Sequence, residues 1–122
     1  MASADGAFSW NSELPSGHSP FWIRDEGLSG LGLHRGDAVT VDTRQEPRDG
    51  DLVVAEAEID GDSLRLARRY FSAGLQVRLE PVGEAEPQGS LELDPEAVIV
   101  MGVIKGRLRM NADGPPEEEP LS

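Results

Sequence analysis

The 122-residue chain has no cysteine, a single lysine and only six aromatic residues. Without cysteine it forms no disulfide and offers no thiolate to a metal. No apolar run approaches the roughly 20 residues that span a bilayer. The first residues lack the basic and apolar regions of a secretory signal. These absences predict a cytoplasmic protein that makes no contact with a membrane.

Charge of one sign dominates, with 23 acidic against 11 basic residues and a formal net charge of −12. Such a field repels phosphate backbones, and no pair of amphipathic helices indicates a helix-turn-helix. We therefore expect no direct binding to nucleic acid. The only concentrated positive charge is Arg65, Arg68 and Arg69, which we interpret as a solvated strand face. Two histidines without cysteine predict neither a metal site nor a cofactor.

Composition divides the chain into three parts. Residues 1–19 are rich in Ser, Gly, Ala and Pro, without a sustained hydrophobic period, and predict a flexible segment. Residues 111–122 combine prolines with like charges and predict a disordered acidic tail. Residues 20–110 between them predict one domain with a modest core.

The pattern of the central domain is that of β-strands. Apolar residues alternate or run together in short segments separated by Gly, Pro and Asp, and Asp60-Gly61 is a strong hairpin signal. No segment of a dozen residues shows a clear helical period. We predict an all-β domain of short, strongly bent strands, formed by residues 38–41, 52–59, 64–67, 75–79 and 98–104.

Four short motifs, in matching order, carry a resemblance to a known family. They are Arg24-x-x-Gly27-Leu28-Ser29, Gly36-Asp37 before an apolar strand, Gly50-Asp51-Leu52-Val53-Val54-Ala55, and Met101-Gly102-Val103-Ile104. Together they resemble the LexA-like autopeptidase domain of LexA, phage repressors and UmuD-type proteins, and more distantly type I signal peptidases. The resemblance implies a small, strongly bent β-barrel.

The resemblance also implies a serine nucleophile, a lysine base and an oxyanion hole. Ser29 would be the nucleophile, with the amides of Leu28 and Ser29 as oxyanion donors. The lysine position holds Ala67 or Arg68, depending on how the strand is aligned. Alanine has no base, and arginine stays protonated. The candidate nucleophile therefore lacks the base that would activate it.

Two further departures argue against catalysis. The segment from Ser29 to Gly36 is about two residues shorter than the family's spacing, and a displaced nucleophile loses rate steeply. The family cleaves itself at an Ala-Gly or Cys-Gly pair, and none precedes Ser29; we interpret Ala73-Gly74 as a hairpin turn. We predict a non-catalytic, LexA-like module for protein interaction or regulation.

Two alternatives stay open at this point. The first alternative to the non-catalytic module is a divergent serine peptidase, in which Ser29 acts with His34 or with a base from another chain. The second is an unrelated small β-barrel that binds a peptide or ligand. For the LexA-like module, the resemblance implies a homodimer through the C-terminal strand, residues 98–110. For the same module we hypothesise a protein partner, such as a DNA-binding repressor encoded elsewhere.

Overall fold

Strands make up most of the computed structural model, which describes residues 17–83, 90–109, 114 and 117–121. Single-turn 3-10 helices, Ser29–Leu31 and Pro95–Ala97, are the only helices among these residues, and neither can cross a membrane. The all-β prediction is confirmed. The strands are β1 His18–Trp22, β2 Ala38–Asp42, β3 Leu52–Ile59, β4 Asp62–Ala73, β5 Gln76–Glu80, β6 Leu91–Leu93, β7 Val98–Arg109 and β8 Glu117–Glu119.

All eight strands belong to one antiparallel sheet. Its order is β1-β2-β7-β3-β4-β5-β6, with β8 paired to the end of β7. The long strand β7 is central, since it pairs with β2 over residues 103–107 and with β3 over residues 98–103. Its first half is a nearly continuous apolar run, but this run is not buried on both faces, since Ile99 is 64% exposed.

The sheet curls strongly, as the sequence predicts. The register shifts between Thr40 and Val41 of β2, and again between Val54 and Ala55 of β3. Bulges of this kind increase the local twist and bend a strand. As a result β4 approaches β1, although three strands separate them in the sheet, and the guanidinium of Arg65 lies 5.7 Å from the centre of the Phe21 ring.

Two large groups of buried side chains form most of the core on the two faces of the curled sheet, and Ala38 and Leu108 form a third, small group. The first, which we call the inner cluster, contains Ile23, Leu28, Leu33, Val39, Val41, Val54, Ala67 and Ile104. The second contains Val53, Ala55, Val77, Leu79 and Val103. Alternation along β3 explains the division, since Val54 joins the inner cluster while Val53 and Ala55 join the other.

The turns between strands follow the sequence signals closely. Asp60 and Gly61 both have positive φ, of 53° and 85°, which the two-residue β3–β4 hairpin requires. The β4–β5 turn lies one residue later than predicted, at Gly74-Leu75. Strand β6 was not predicted, because three residues are too few to show an alternation.

At both ends the structure corrects the predicted boundaries. Strand β1 begins at His18, two residues inside the segment predicted to be flexible. The tail prediction is wrong for residues 117–119, which form β8, and Leu121 packs against the inner cluster. Pairing with β7 stabilises a segment whose composition alone favours disorder. Residues 1–16, 84–89, 110–113, 115–116 and 122 lie outside the described residues, so the remaining domain boundaries stay predictions.

Candidate functional site

The turn that carries Ser29 is held in shape by its own backbone and by two leucines. The amides of Leu31 and Leu33 both donate to the carbonyl of Leu28, at 2.9 and 3.3 Å. Leu28 and Leu33 are fully buried in the inner cluster. The 3-10 helix ends at Gly32, whose φ of +80° other residues rarely adopt. The alternation of glycine and leucine in this segment thus builds a tight, anchored turn.

A second set of backbone bonds docks the turn on the segment after β5. The amide of Val82 donates to the carbonyl of Gly27 at 2.8 Å, and the amide of Gly30 donates to the carbonyl of Val82 at 2.7 Å. The next residue, Gly83, packs closely against Gly30, since a Cβ on Gly83 would lie 2.6 Å from the Gly30 nitrogen. The backbone of residues 27–30 therefore has a defined position relative to the sheet.

Gly27 is the residue of this turn that faces the predicted base position on β4. A Cβ at Gly27 would overlap the carbonyl oxygen of Ala67 and the Nη1 atom of Arg68. Ala67 itself is buried in the inner cluster beside Leu28. The turn and the strand are thus adjacent, as the resemblance implies, but the residue at their contact has no side chain.

The space at this contact is filled by the side chain of Arg68. Its Nη1 donates to the carbonyl oxygen of Ala67 at 2.8 Å and to Oδ2 of Asp25 at 2.7 Å. Only 1% of Arg68 is exposed, so the interpretation of this arginine as part of a solvated strand face is wrong. Burial of a guanidinium is tolerated here because a carboxylate and a carbonyl compensate its charge and its donors.

Ser29 lies two residues beyond this contact, at the start of the 3-10 helix. It is half-buried, and its Oγ lies 2.9 Å from the point that a Cβ on Gly83 would occupy. Its amide donates to the carbonyl of Glu26 at 3.1 Å. To act as an oxyanion donor, that amide would first have to leave the turn hydrogen bond. The side chain of Leu28, the other predicted donor, is an anchor of the inner cluster.

His34 lies on the outer side of the same turn. Its Nδ1 is 2.8 Å from Oε1 of Glu26, and 57% of its side chain is exposed. The hydrogen bond from His34, together with one from the amide of Arg35, holds the pKa of Glu26 below its ordinary value. His34 is thus engaged with a surface carboxylate, as expected of an exposed turn histidine.

Beside the Gly27–Arg68 contact the structure has an open cleft of about 450 Å³. It lies between the segment after β1 and the first half of β4. The carboxylates of Asp25 and Glu56 in its wall are paired with Arg68 and Arg65, respectively. Among the described residues no cluster of His, Cys, Asp and Glu could hold a metal. The cleft is lined by Arg24, Asp25, Arg35, Glu56, Ser63, Leu64, Arg65 and Leu66.

The protein is thus an all-β domain in which a glycine-rich turn packs against strand β4 of a curled antiparallel sheet. Comparison with known proteins gives the family. The family model described as Peptidase S24-like matches residues 1–105. The chain belongs to this family, so the alternative of an unrelated β-barrel is wrong.

Two relatives support the assignment. Protein SamA of Salmonella typhimurium is 31% identical over 86 residues, which are 69% of this chain and 55% of SamA. The LexA repressor of Deinococcus radiodurans is 30% identical over 99 residues, which are 81% of this chain and 45% of the repressor. The chain therefore spans about half the length of these curated relatives.

Sequence reasoning missed the position of Gly27 and the role of Asp25. The signal for Gly27 was present, since the segment from Ser29 to Gly36 is about two residues too short for the family. Counting those two residues back from Ser29 leads to Gly27. No sequence signal pointed to Asp25, because its partner Arg68 lies 43 positions away in the chain.

Proposed function

We propose that this domain is a catalytically inactive member of the Peptidase S24-like family and acts as a protein-interaction module. One observation carries the proposal. The turn residue that faces Ala67 and Arg68 is Gly27, and the Arg68 guanidinium occupies the space in which a side chain at position 27 would lie.

With Gly27 at the nucleophile position and Ala67 at the base position, neither residue of a serine–lysine pair is present. Gly27 has no hydroxyl to act as a nucleophile, and Ala67 has no base to accept a proton. The neighbouring arginine stays protonated, and its buried ion pair with Asp25 makes it poorly suited to proton transfer. Ser29 then serves as a residue of the docked turn, beside Gly83.

The open cleft supports a role in binding. It adjoins the contact between the turn and β4, and it keeps two exposed guanidinium groups, Arg24 and Arg35, on its rim. A cleft beside an inactive catalytic position can hold a partner that is not cleaved. The partner we favour is a protein, such as a DNA-binding repressor, since the net charge of −12 disfavours direct contact with nucleic acid.

A nucleophile-directed probe tests the loss of catalysis. We expect no labelling of the purified protein by a fluorophosphonate, with an active serine hydrolase in the same assay as positive control. We also expect no fragments by mass spectrometry after prolonged incubation at alkaline pH, where a lysine-dependent relative would cleave itself.

Two serine variants make the result decisive. Labelling that Ser29→Ala abolishes and Ser63→Ala leaves intact would contradict the proposal and favour the divergent peptidase. Ser63 is a suitable control because it is exposed and lines the neighbouring cleft. A cytoplasmic location and self-association remain predictions that these assays do not address.

A further inference from the structure

The first half of strand β4 is paired on one side only. On that side β3 pairs with residues 62–69. On the other side β5 pairs with residues 69–73 alone, and no other strand of the described chain takes its place before residue 69. Residues 62–68 therefore present an open strand edge, to which a further extended segment can add.

The direction of the backbone along β4 identifies the groups that this edge presents. The amide of Tyr70 donates to the carbonyl of Asp51, on the β3 side, at 2.7 Å. Backbone groups alternate in direction along a strand, and the β3–β4 register runs without a shift. The carbonyl of Ala67 accordingly points to the other side, towards the docked turn. By the same alternation, the N–H and C=O groups of Ser63 and Arg65 point to the open side, beside the cleft that both residues line.

The cleft beside this edge offers two guanidinium groups to a ligand. Arg65 is engaged within the domain, since its Nη2 lies 3.1 Å from Oε2 of Glu56 and its guanidinium lies over the Phe21 ring. Arg24 and Arg35 are exposed, and in the described part of the chain their guanidinium groups form no ion pair or hydrogen bond. Two unpaired cations thus line one cleft in a chain of net charge −12.

The neighbouring carboxylates are held by other groups. Oδ2 of Asp25 accepts from Nη1 of Arg68 at 2.7 Å. Glu26 accepts a hydrogen bond from the backbone amide of Arg35, and its Oε1 lies 2.8 Å from Nδ1 of His34. The guanidinium groups of the cleft therefore remain available to an anion from outside the domain.

We propose that the cleft binds an extended segment of a partner protein through its acidic side chains, with Arg24 and Arg35 as the residues that select them. The segment lies along the edge at Ser63 and Arg65, whose backbone groups bond to it, and each guanidinium binds a carboxylate through two parallel N–H groups. An acidic preference does not follow from the family resemblance, whose cleavage pair is Ala-Gly or Cys-Gly. The inference rests on the proposed interaction module and names the chemistry of its partner.

A short acidic segment fits this site better than a nucleic acid does. The net charge of −12 repels a chain with a phosphate at every nucleotide, whereas one or two carboxylates meet the local field of the arginines. The open edge also requires a partner with backbone N–H and C=O groups, which a nucleic acid lacks.

Fluorescence anisotropy with the full-length protein tests the acidic preference. The probe is a fluorescein-labelled peptide in which valine and glutamate alternate, since alternation places the acids on one face of an extended segment. Two further peptides carry glutamine or lysine in place of glutamate. We expect the glutamate peptide to bind at least about 5-fold more tightly than the glutamine peptide, and less tightly as the salt concentration rises.

Three double substitutions locate the effect. R24Q/R35Q should abolish the preference for glutamate over glutamine. R48Q/R109Q removes the same charge from exposed arginines outside the cleft, and should leave the preference within about 2-fold of the wild type. In R24E/R35E the lysine peptide should bind best, a reversal that a purely structural role of the arginines would not produce. All four positions are exposed, so we expect the variants to fold, and circular dichroism checks this.

N-methylated peptides test the pairing with the edge while the protein stays unchanged. A methyl group removes a backbone donor, and alternate amides of a strand point to opposite sides. Methylation of one alternate set of amides in the glutamate peptide should therefore abolish binding, and methylation of the other set should not. In the complex, hydrogen exchange should slow at the amides of Ser63 and Arg65, but not at that of Leu64, which points to β3.

Four results would overturn the inference. The wild type binds the glutamate peptide no better than the glutamine peptide, R24Q/R35Q keeps the preference as R48Q/R109Q does, both methylated peptides bind equally, or a short oligothymidylate binds more tightly than the glutamate peptide. None of them affects the absence of catalysis, which the fluorophosphonate probe tests separately.

Discussion

Gly27 and Arg68 share a space that only one of them can fill with a side chain. The Nη1 atom of Arg68 lies where a Cβ on residue 27 would be, and it is held there by Asp25 and by the carbonyl of Ala67. The missing side chain of the turn and the buried arginine of the strand are therefore one structural feature. Restoring a side chain at position 27 requires Arg68 to move.

The first prediction follows from this overlap. Gly27→Ala should lower the free energy of unfolding by about 1–3 kcal/mol, because overpacking forces neighbouring groups to shift. Urea denaturation measures the change. Gly114→Ala is the control, since a Cβ there meets nothing within 4 Å, and its effect should stay within about 0.5 kcal/mol. Equal effects of the two substitutions would contradict the packing described for Gly27.

The second prediction concerns the buried ion pair of Arg68 and Asp25. Arg68→Met removes the partner of a mostly buried carboxylate and should destabilise the domain by about 3 kcal/mol. Arg65→Met, at the more exposed pair with Glu56, should cost about 1 kcal/mol or less. In a double-mutant cycle, D25N and R68M should be non-additive. Additive effects would mean that the two side chains do not depend on each other.

The third prediction concerns the docking of the turn on Val82 and Gly83. Gly83→Ala combines a φ of +99° with a Cβ 2.6 Å from the Gly30 nitrogen. Gly74→Ala is the matched control, since Gly74 also has positive φ but faces open space. We expect only Gly83→Ala to speed hydrogen exchange at the Gly30 and Val82 amides, which bond across this contact. Unchanged exchange at both amides would contradict the docking.

The fourth prediction is a pH dependence at Glu26. The hydrogen bond from His34 lowers the pKa of the Glu26 carboxyl in the folded state. At pH values above the ordinary pKa of glutamate, ionised Glu26 therefore stabilises the folded state. This stabilisation is lost as the pH falls through the lowered pKa of Glu26. Between pH 7 and pH 3 the wild type should therefore lose more stability than Glu26→Gln. The difference should be small, since the side chain of Glu26 is exposed, and an equal loss of stability in Glu26→Gln would contradict the prediction.

Much of the fold could be predicted from local patterns. Asp60-Gly61 specified its hairpin, and the alternation of β3 specified which side chains face each cluster. The tail was different, because its composition favours disorder and its order depends on partners far away in the sequence. His18, for example, contacts Glu118 across 100 positions. Such pairing has no local signature.

The candidate site likewise has features that local residue types predict and others that depend on contacts between distant segments. The Gly-Leu-Ser turn and the absence of lysine at Ala67 and Arg68 could be read from residue types alone, and neither residue offers a base, because alanine has no titratable group and arginine stays protonated. Residue types alone did not show which residue of the turn faces them, although the short spacing between Ser29 and Gly36 pointed to Gly27. The facing residue depends on the backbone bonds of Gly27 and Gly30 with Val82, which set the turn against β4.

By itself, therefore, the sequence determined an acidic all-β domain of this family whose only lysine is Lys105, since strand periodicity, charge and residue type are local properties. Only the tertiary structure decided that Gly27 lies against β4, that Arg68 is buried with Asp25, and that the acidic tail completes the edge of β7. Each depends on contacts between distant segments, which the curvature of the sheet creates.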